Sequence, residues 1–272
     1  MKQKFHLLLN GLDTVQCAYY LLPEGTGQID FERLGFEREG IRASKRKDPS
    51  PVKLGNQEFL LKGSGSGSGY PFVMTNSKFR VEFGEFNSPS FFVTFSSQAL
   101  WRESASCLHV EFLDWANSVG WQPFKEESLS RVDFCFDYHL PELDFDESHF
   151  VSRSVKDSKY RENGRLQSLS FGKDNVVMRF YDKIAEIDQQ SSKVWFFELW
   201  GQERDVWRIE WQVRKEKLRA FGIRTFHDLD EFKGDLLLYL GSEHDSLRSK
   251  TADTNPSRAI ARNYPTLSRV SR

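Results

Sequence analysis

The sequence predicts an α+β fold in which helices flank an antiparallel sheet. Three observations carry this. Segments with period-two alternation of apolar and polar residues outnumber those with helical periodicity. The connections between them are mostly short and rich in Gly, Asn, Pro and Ser, as hairpins require. The succession strand, strand, helix, strand also runs twice, over about 1–125 and 126–245, which suggests an internal duplication, although no sequence repeat accompanies it.

Taken in order, Phe5–Leu9 reads as a short buried strand that breaks at Asn10-Gly11. No small-residue cleavage site follows it, so it is a strand rather than a signal peptide. Phe31–Arg46 is charge-rich, and Leu34, Phe36 and Ile41 are poorly spaced, so the segment is irregular or weakly helical. Phe59–Leu61 and Tyr70–Met74 flank the run Gly63–Gly69 and read as a long hairpin. The tip of that hairpin is mobile or touches phosphates through its amides, and it lacks the Gly-Lys-Ser/Thr ending of a nucleotide-binding loop. Phe79–Phe83 and Ser90–Phe95 are strands joined by a turn at Asn87-Ser88-Pro89. Ala105–Val119 is a helix, because Leu108, Phe112, Trp115, Ala116 and Val119 share one side, and Gly120 ends it. Ser130–Tyr138 is a strand, Leu166–Phe171 and Asn175–Tyr181 form a hairpin, and Val206–Arg214 is a further strand. Lys215–Ala220 begins a helix, and Phe226–Leu240 is a closing amphipathic one. Asp144, Asp146 and Glu147 read as a solvated loop and helix cap. The tail 246–272 carries six Arg and Lys against the single acid Asp253, and reads as a solvated terminus or as a basic arm on phosphates.

At 272 residues, with 39% hydrophobic and 28% charged residues, the chain can bury one large core or two smaller ones. A net charge of −1 argues against a protein that coats DNA unspecifically, but it leaves room for a local basic surface beside a carboxylate cluster. Three scattered cysteines, Cys17, Cys107 and Cys135, fit a reducing cytoplasm rather than a disulfide framework. The apolar runs are too short to span a bilayer.

Three strands carry chemistry. In Ser130–Tyr138, alternation puts Arg131, Asp133, Cys135 and Asp137 on one face. In Val176–Tyr181 it groups Arg179 with Tyr181, and in Val206–Arg214 it groups Arg208, Glu210, Gln212 and Arg214. Side by side, these faces form one surface of acids and bases with Tyr181 at a strand end. Such a surface suits metal-assisted attack on a phosphodiester: Mg²⁺ or Mn²⁺ takes hard oxygen ligands and polarises the phosphate. A phenol with pKa about 10 needs a neighbouring metal, Arg or Lys to become a nucleophile. Arg179 and Lys183, two residues to either side of Tyr181, are placed for that. Charge pairs across a half-exposed sheet would produce the same alternation without chemistry.

The blocks SRVDFCFDY, MRFYDKIAEI and WRIEWQVRKEKLRAFGI, in this order and spacing, resemble the replication initiation factor family. These are the Rep_trans-type rolling-circle initiators of plasmids and filamentous phages, and the resemblance runs from about Leu60 to about Arg258. It implies an HUH-endonuclease-like fold and a tyrosine that attacks origin DNA, leaving a 5′-phosphotyrosine and a free 3′-hydroxyl. Carried over, the tyrosine of the R-x-Y-x-K motif is Tyr181, with Arg179 and Lys183 beside it, and the acids holding Mg²⁺ or Mn²⁺ are Asp133 and Glu210. Asp182 is a further candidate ligand, and Arg131, Arg208 and Arg214 are expected on DNA. The His-hydrophobe-His motif usual in HUH enzymes is lacking, so a carboxylate-dominated metal site is expected. The implied partners are single-stranded or cruciform origin DNA and a host helicase and polymerase, and a homodimer is compatible with the family. Two other readings stay open: a catalytically silent origin- or operator-binding module of the same fold, and a metal nuclease that uses water. Intact Tyr181, Asp133 and Glu210 favour the enzyme over the silent binder.

Overall fold

A computed structural model describes residues 6–25, 29–141, 150–152, 154, 156–162, 164–191 and 193–247. The expected acidic loop at Asp144, Asp146 and Glu147 and the basic tail from Arg248 lie outside the described residues. The fold is α+β, with a large antiparallel sheet and a few helices. The chain divides into two compact units. One comprises Leu12–Val132 with Arg224–His227, and the other comprises the described residues within 1–11, 133–223 and 228–272. Two long strands, β1 (His6–Pro23) and β7 (Trp121–His139), supply residues to both.

In the first unit β1 and β7 are joined by α1 (Phe31–Ala43), β2 (Ser50–Leu54), β3 (Gln57–Leu61) and β4 (Phe72–Thr75). After them come β5 (Phe79–Phe83), β6 (Phe91–Phe95), α2 (Ser97–Arg102) and α3 (Ala105–Ser118). The strand order is β2-β3-β4-β5-β6-β1-β7. Register and alternation together build the core. The cross-strand rows Leu61–Met74–Val81–Val93–Cys17 and Phe72–Phe83–Phe91–Tyr19 lie on one face, and all are buried. Onto this face α3 packs Phe112, 4.4 Å from Tyr19 and 6.1 Å from Phe91 between ring centroids, and Trp115, 5.2 Å from Phe59. The Trp115 indole N–H donates to the Leu54 carbonyl at 3.0 Å, so the ring is both packed and satisfied. Ser104 caps α3 by accepting from the Cys107 amide.

Two expectations change here. The first strand does not stop at Leu9 but runs to Pro23, because Val15, Cys17, Tyr19 and Leu21 resume a buried period-two row beyond Gly11. Phe31–Ala43 is a regular helix despite its weak apolar stripe. Asp30 caps it, the pairs Arg33–Glu37 and Arg42–Glu39 line its outside, and only Leu34 and Ile41 are buried.

The second unit takes its strands in the order β1-β7-β12-β11-β10-β9. Its elements are β8 (Phe150–Ser152), β9 (Asp157–Glu162), β10 (Arg165–Lys173) and β11 (Val176–Asp182), then the single turn α4 (Lys183–Glu186). A π-helical turn (Ile187–Ser191), α5 (Trp195–Trp200), β12 (Val206–Arg214), α6 (Lys215–Ala220), α7 (Phe226–Tyr239), a second π-helical turn (Leu240–His244) and β13 (Asp245–Leu247) follow. β13 pairs with β8 apart from the main sheet. On one face of this sheet Met178, Phe180, Ile209 and Trp211 are buried, with Phe180 stacked 4.8 Å from Trp207. The hairpin of β10 and β11 closes with Asp174 at φ 68° and Gly172 at φ 99°. The edge strand β9 is charged and largely exposed.

The alternation of β7 and β12 predicts one core face and one wet polar face. The structure instead buries every residue from Val132 to Tyr138 and from Val206 to Val213. The segment α4 to α5 supplies the cover, laying Phe196 4.6 Å from the Arg208 guanidinium and Trp200 against Asp137. Among the described residues no helix is long and apolar enough to cross a membrane.

Candidate active site

The antiparallel register of β11 and β12 builds the site. Arg179 lies opposite Glu210, Tyr181 opposite Arg208 and Val177 opposite Gln212, so Arg179, Tyr181, Glu210 and Gln212 rise from one face. The Tyr181 hydroxyl donates to Glu210 Oε2 at 2.9 Å, and Arg179 Nη1 donates to Glu210 Oε1 at 3.0 Å. Arg179 Nη2 reaches Gln212 Oε1 at 3.1 Å. One carboxylate thus holds a phenol on one oxygen and a guanidinium on the other. Glu210 is buried while Tyr181 and Arg179 are half-buried, so the donors face solvent and the acceptor lies beneath them. They open into a pocket of about 290 Å³ lined by Tyr160, Gln167, Ser168, Arg179, Tyr181 and Gln189. Ser168 comes from the neighbouring strand, directly opposite Tyr181. Gln189 comes from the π-helical turn, a distortion that recurs at functional sites.

No protein-family model matches the sequence, and a search of curated proteins returns no match.

The structure places the other expected site residues as follows. Lys183 is 1% exposed and pairs with Glu186 at 2.5 Å, its ammonium 5.6 Å from the Tyr181 ring centroid and 5.3 Å from that of Phe196. It is a fixed charge under the tyrosine rather than a surface lysine. Arg208, expected on DNA, is instead fully buried. Its Nε donates to Asp137 Oδ1 at 2.6 Å and its Nη2 to Asp137 Oδ2 at 2.9 Å. The Trp200 indole N–H donates to the same Oδ2 at 2.9 Å. Burial works against the charge on Arg208, but the acidic groups facing it, Cys135 and Asp137 first, outweigh this and hold its pKa above the ordinary value. Asp137 holds Arg208 through two of its N–H groups, and with 0% of its side chain exposed the guanidinium does not reach solvent, where a phosphate would sit. Arg214 is exposed at the end of β12, where an anion can reach it. Arg131 is half-buried on β7 in the unit that does not contain Tyr181.

The expected metal ligands do not form a set. Among the described residues no three of His, Cys, Asp and Glu gather as a cation site. Glu210 has both oxygens engaged, as above. Asp182 Oδ1 accepts from the Ile184 and Ala185 amides, capping α4, and burial pushes its carboxyl above the usual carboxylate range against those two bonds. Asp133 is buried on β7, four residues before Asp137.

Sequence reasoning missed Ser168, Gln189 and Trp200. Ser168 becomes visible only once the β10–β11 register is known. Trp200 lies outside the strands whose alternation carries the site, so no spacing signal marks it as an indole donor to Asp137.

Proposed function

We propose that this chain nicks one strand of DNA with Tyr181 as the nucleophile, as an HUH-endonuclease-like initiator of rolling-circle replication. The observation that carries this reading is the Tyr181 hydroxyl donating at 2.9 Å to Glu210 beside Arg179, at the mouth of a pocket. A carboxylate in that position is a general base for the phenol. As the tyrosine oxygen bonds to phosphorus, its proton passes to Glu210 Oε2. The bond from phosphorus to the 3′ oxygen breaks, and that oxygen takes a proton from water. Arg179 is half exposed beside the phenol and offers guanidinium donors to the charge that builds on the phosphoryl oxygens. Lys183, fixed beneath the ring, favours the phenolate. Arg214 extends the cationic surface toward the DNA.

The test uses a random pool of single-stranded oligonucleotides labelled at the 3′ end, incubated with the chain and run on a denaturing protein gel. The expected result is label that migrates with the protein and disappears in Tyr181→Phe, with the melting temperature little changed. Cleavage without a protein-linked product, or full cleavage by Tyr181→Phe, would favour attack by water.

A further inference from the structure

Tyr160, on the edge strand β9, belongs to the same cross-strand row as Tyr181. It lies opposite Ser168 on β10, and Ser168 lies opposite Tyr181 on β11, so the three side chains rise from one face. Neighbouring strands run about 4.8 Å apart, which sets the two tyrosines about 10 Å apart with only a serine between them. That small side chain leaves open the pocket that both rings line. Tyr160 is 58% exposed, and among the described residues its ring packs on no other and its hydroxyl makes no hydrogen bond. A flat ligand that covered this ring would take its apolar surface out of water.

Beside Tyr160 the ladder is irregular. Pairing passes from Leu166–Arg161 to Ser168–Tyr160, so Gln167 is the extra residue of a β-bulge. A bulge takes the extra side chain out of the alternation, and Gln167 lines the pocket next to Ser168. It is half-buried, and among the described residues its amide makes no hydrogen bond. On the other side, the π-helical turn is tied back to β9 by Gln189 Nε2, which donates to Glu162 Oε2 at 3.2 Å. The result is a slot open to solvent. One end holds an uncovered ring and an unused amide, and the other holds the Tyr181 hydroxyl and the Arg179 guanidinium.

We propose that this slot selects adenine beside the scissile phosphate, with the base stacked on Tyr160 and its N6 amine and N7 paired with the Gln167 amide. The place of the phosphate rests on the nicking activity proposed above; the base slot does not. A glutamine amide offers an acceptor and a donor side by side, and adenine presents the complement, a donor amine beside a ring acceptor. Guanine presents two acceptors on the same edge, and thymine an acceptor beside a methyl group. A purine also covers more of the Tyr160 ring than a pyrimidine does. The spacing fits one nucleotide, whose phosphate meets Tyr181 while its base meets the far ring. Tyr160 and Gln167 are therefore specificity-determining residues, set in place by an edge strand and a bulge and lying outside the motif around Tyr181.

The test has a binding arm and a cleavage arm. Fluorescein-labelled oligo-dT strands carrying one central dA, dG or dC, and an all-dT control, are titrated by anisotropy against the Tyr181→Phe chain, in which cleavage cannot interfere. The dA strand binds about ten-fold more tightly than the control, within the range of one well-made amide–base pair. Adding Tyr160→Ala weakens the dA strand roughly ten-fold, as expected for one lost stacking ring. Adding Gln167→Ala brings it to the level of the control. Circular dichroism confirms that both variants fold. In the cleavage arm the unsubstituted chain nicks a random single-stranded pool, and sequencing of the ends finds adenine enriched at one position next to the junction. Gln167→Ala flattens that enrichment. No binding, equal affinity for the four strands, unchanged affinity in Tyr160→Ala, a preference that survives Gln167→Ala, or nicks without adenine beside them each overturns the slot. A dA preference that depends on Gln167, without any nicking by the unsubstituted chain, overturns the nicking reading alone.

Discussion

Replacing Asp137 by asparagine keeps the side chain's shape and leaves Arg208 charged in a place water does not reach. Both residues are 0% exposed, and the carboxylate receives three donors, two from Arg208 and one from Trp200, at 2.6 to 2.9 Å. Removing one partner of a buried ion pair costs about 3–5 kcal/mol. The new amide nitrogen also faces one of these donors, adding about 1 kcal/mol. The loss of about 4–6 kcal/mol is a large part of a typical total stability of about 5–15 kcal/mol and unfolds a chain at the low end of that range. Substituting both, as Asp137→Leu with Arg208→Met, removes the charge along with its partner and recovers at least about 2 kcal/mol of that loss. Urea unfolding followed by far-ultraviolet circular dichroism at pH 7 measures the three chains. An Asp137→Asn variant within about 1 kcal/mol of the parent would refute the buried pair. If Arg208 instead contacted DNA, Arg208→Met would leave stability alone and reduce the salt slope of binding to single strands by about 0.7.

Four further outcomes follow from the geometry. Glu210→Gln lowers nicking by about 10² to 10⁴ through loss of the base for Tyr181 while DNA affinity persists, which single-turnover rates and anisotropy distinguish. Gly172→Ala destabilises the hairpin that carries Tyr181, because φ is 99° and the new Cβ would clash with the Val176 carbonyl oxygen; a thermal melt should show a loss of at least about 1 kcal/mol. Ser104→Ala removes the cap of α3 and costs about 1 kcal/mol in the same assay. His109 accepts or donates at Nδ1 with the Tyr19 hydroxyl at 3.0 Å, stacks on Phe226 and stands 3.9 Å from Glu127; burial lowers its pKa, with Glu127 opposing. The folded state therefore holds fewer protons than the unfolded one, so this contribution is complete above the unfolded value near pH 6.5 and lost as pH falls from there through the lower folded value. The urea midpoint should drop from pH 7.5 to 5.5 by more in the parent than in His109→Gln.

Where residues alternate cleanly over a short run, the sequence announces the element: Phe79–Phe83 and Val206–Arg214 form as read. Where an element is held by caps and ion pairs, as in Phe31–Ala43, apolar spacing carries no signal. The long continuation of β1 past Gly11 was hidden because a glycine can break a strand or simply pass through it. At the site, alternation identified the face holding Arg179, Tyr181 and Glu210, because cross-strand neighbours need only the right parity. It could not tell a carboxylate that binds a phenol from one that binds a cation, nor a surface arginine from one sealed under Phe196. Those distinctions depend on what α4 and α5 cover, and nothing in the strands specifies the cover.

The outer strands bear on how the protein behaves when concentrated. β9 ends its unit's strand order with Asp157, Lys159, Arg161 and Glu162, and β2 ends the other's with Pro51 and an exposed Lys53. A bare edge invites a second molecule to extend the sheet through its free amides and carbonyls. The charged side chains of β9 would have to be stripped of water to allow that, and Pro51 brings no amide hydrogen at all. The two outer strands therefore act as stoppers against fibre-like growth, each on its own unit's sheet, where it would otherwise be most prone to aggregate.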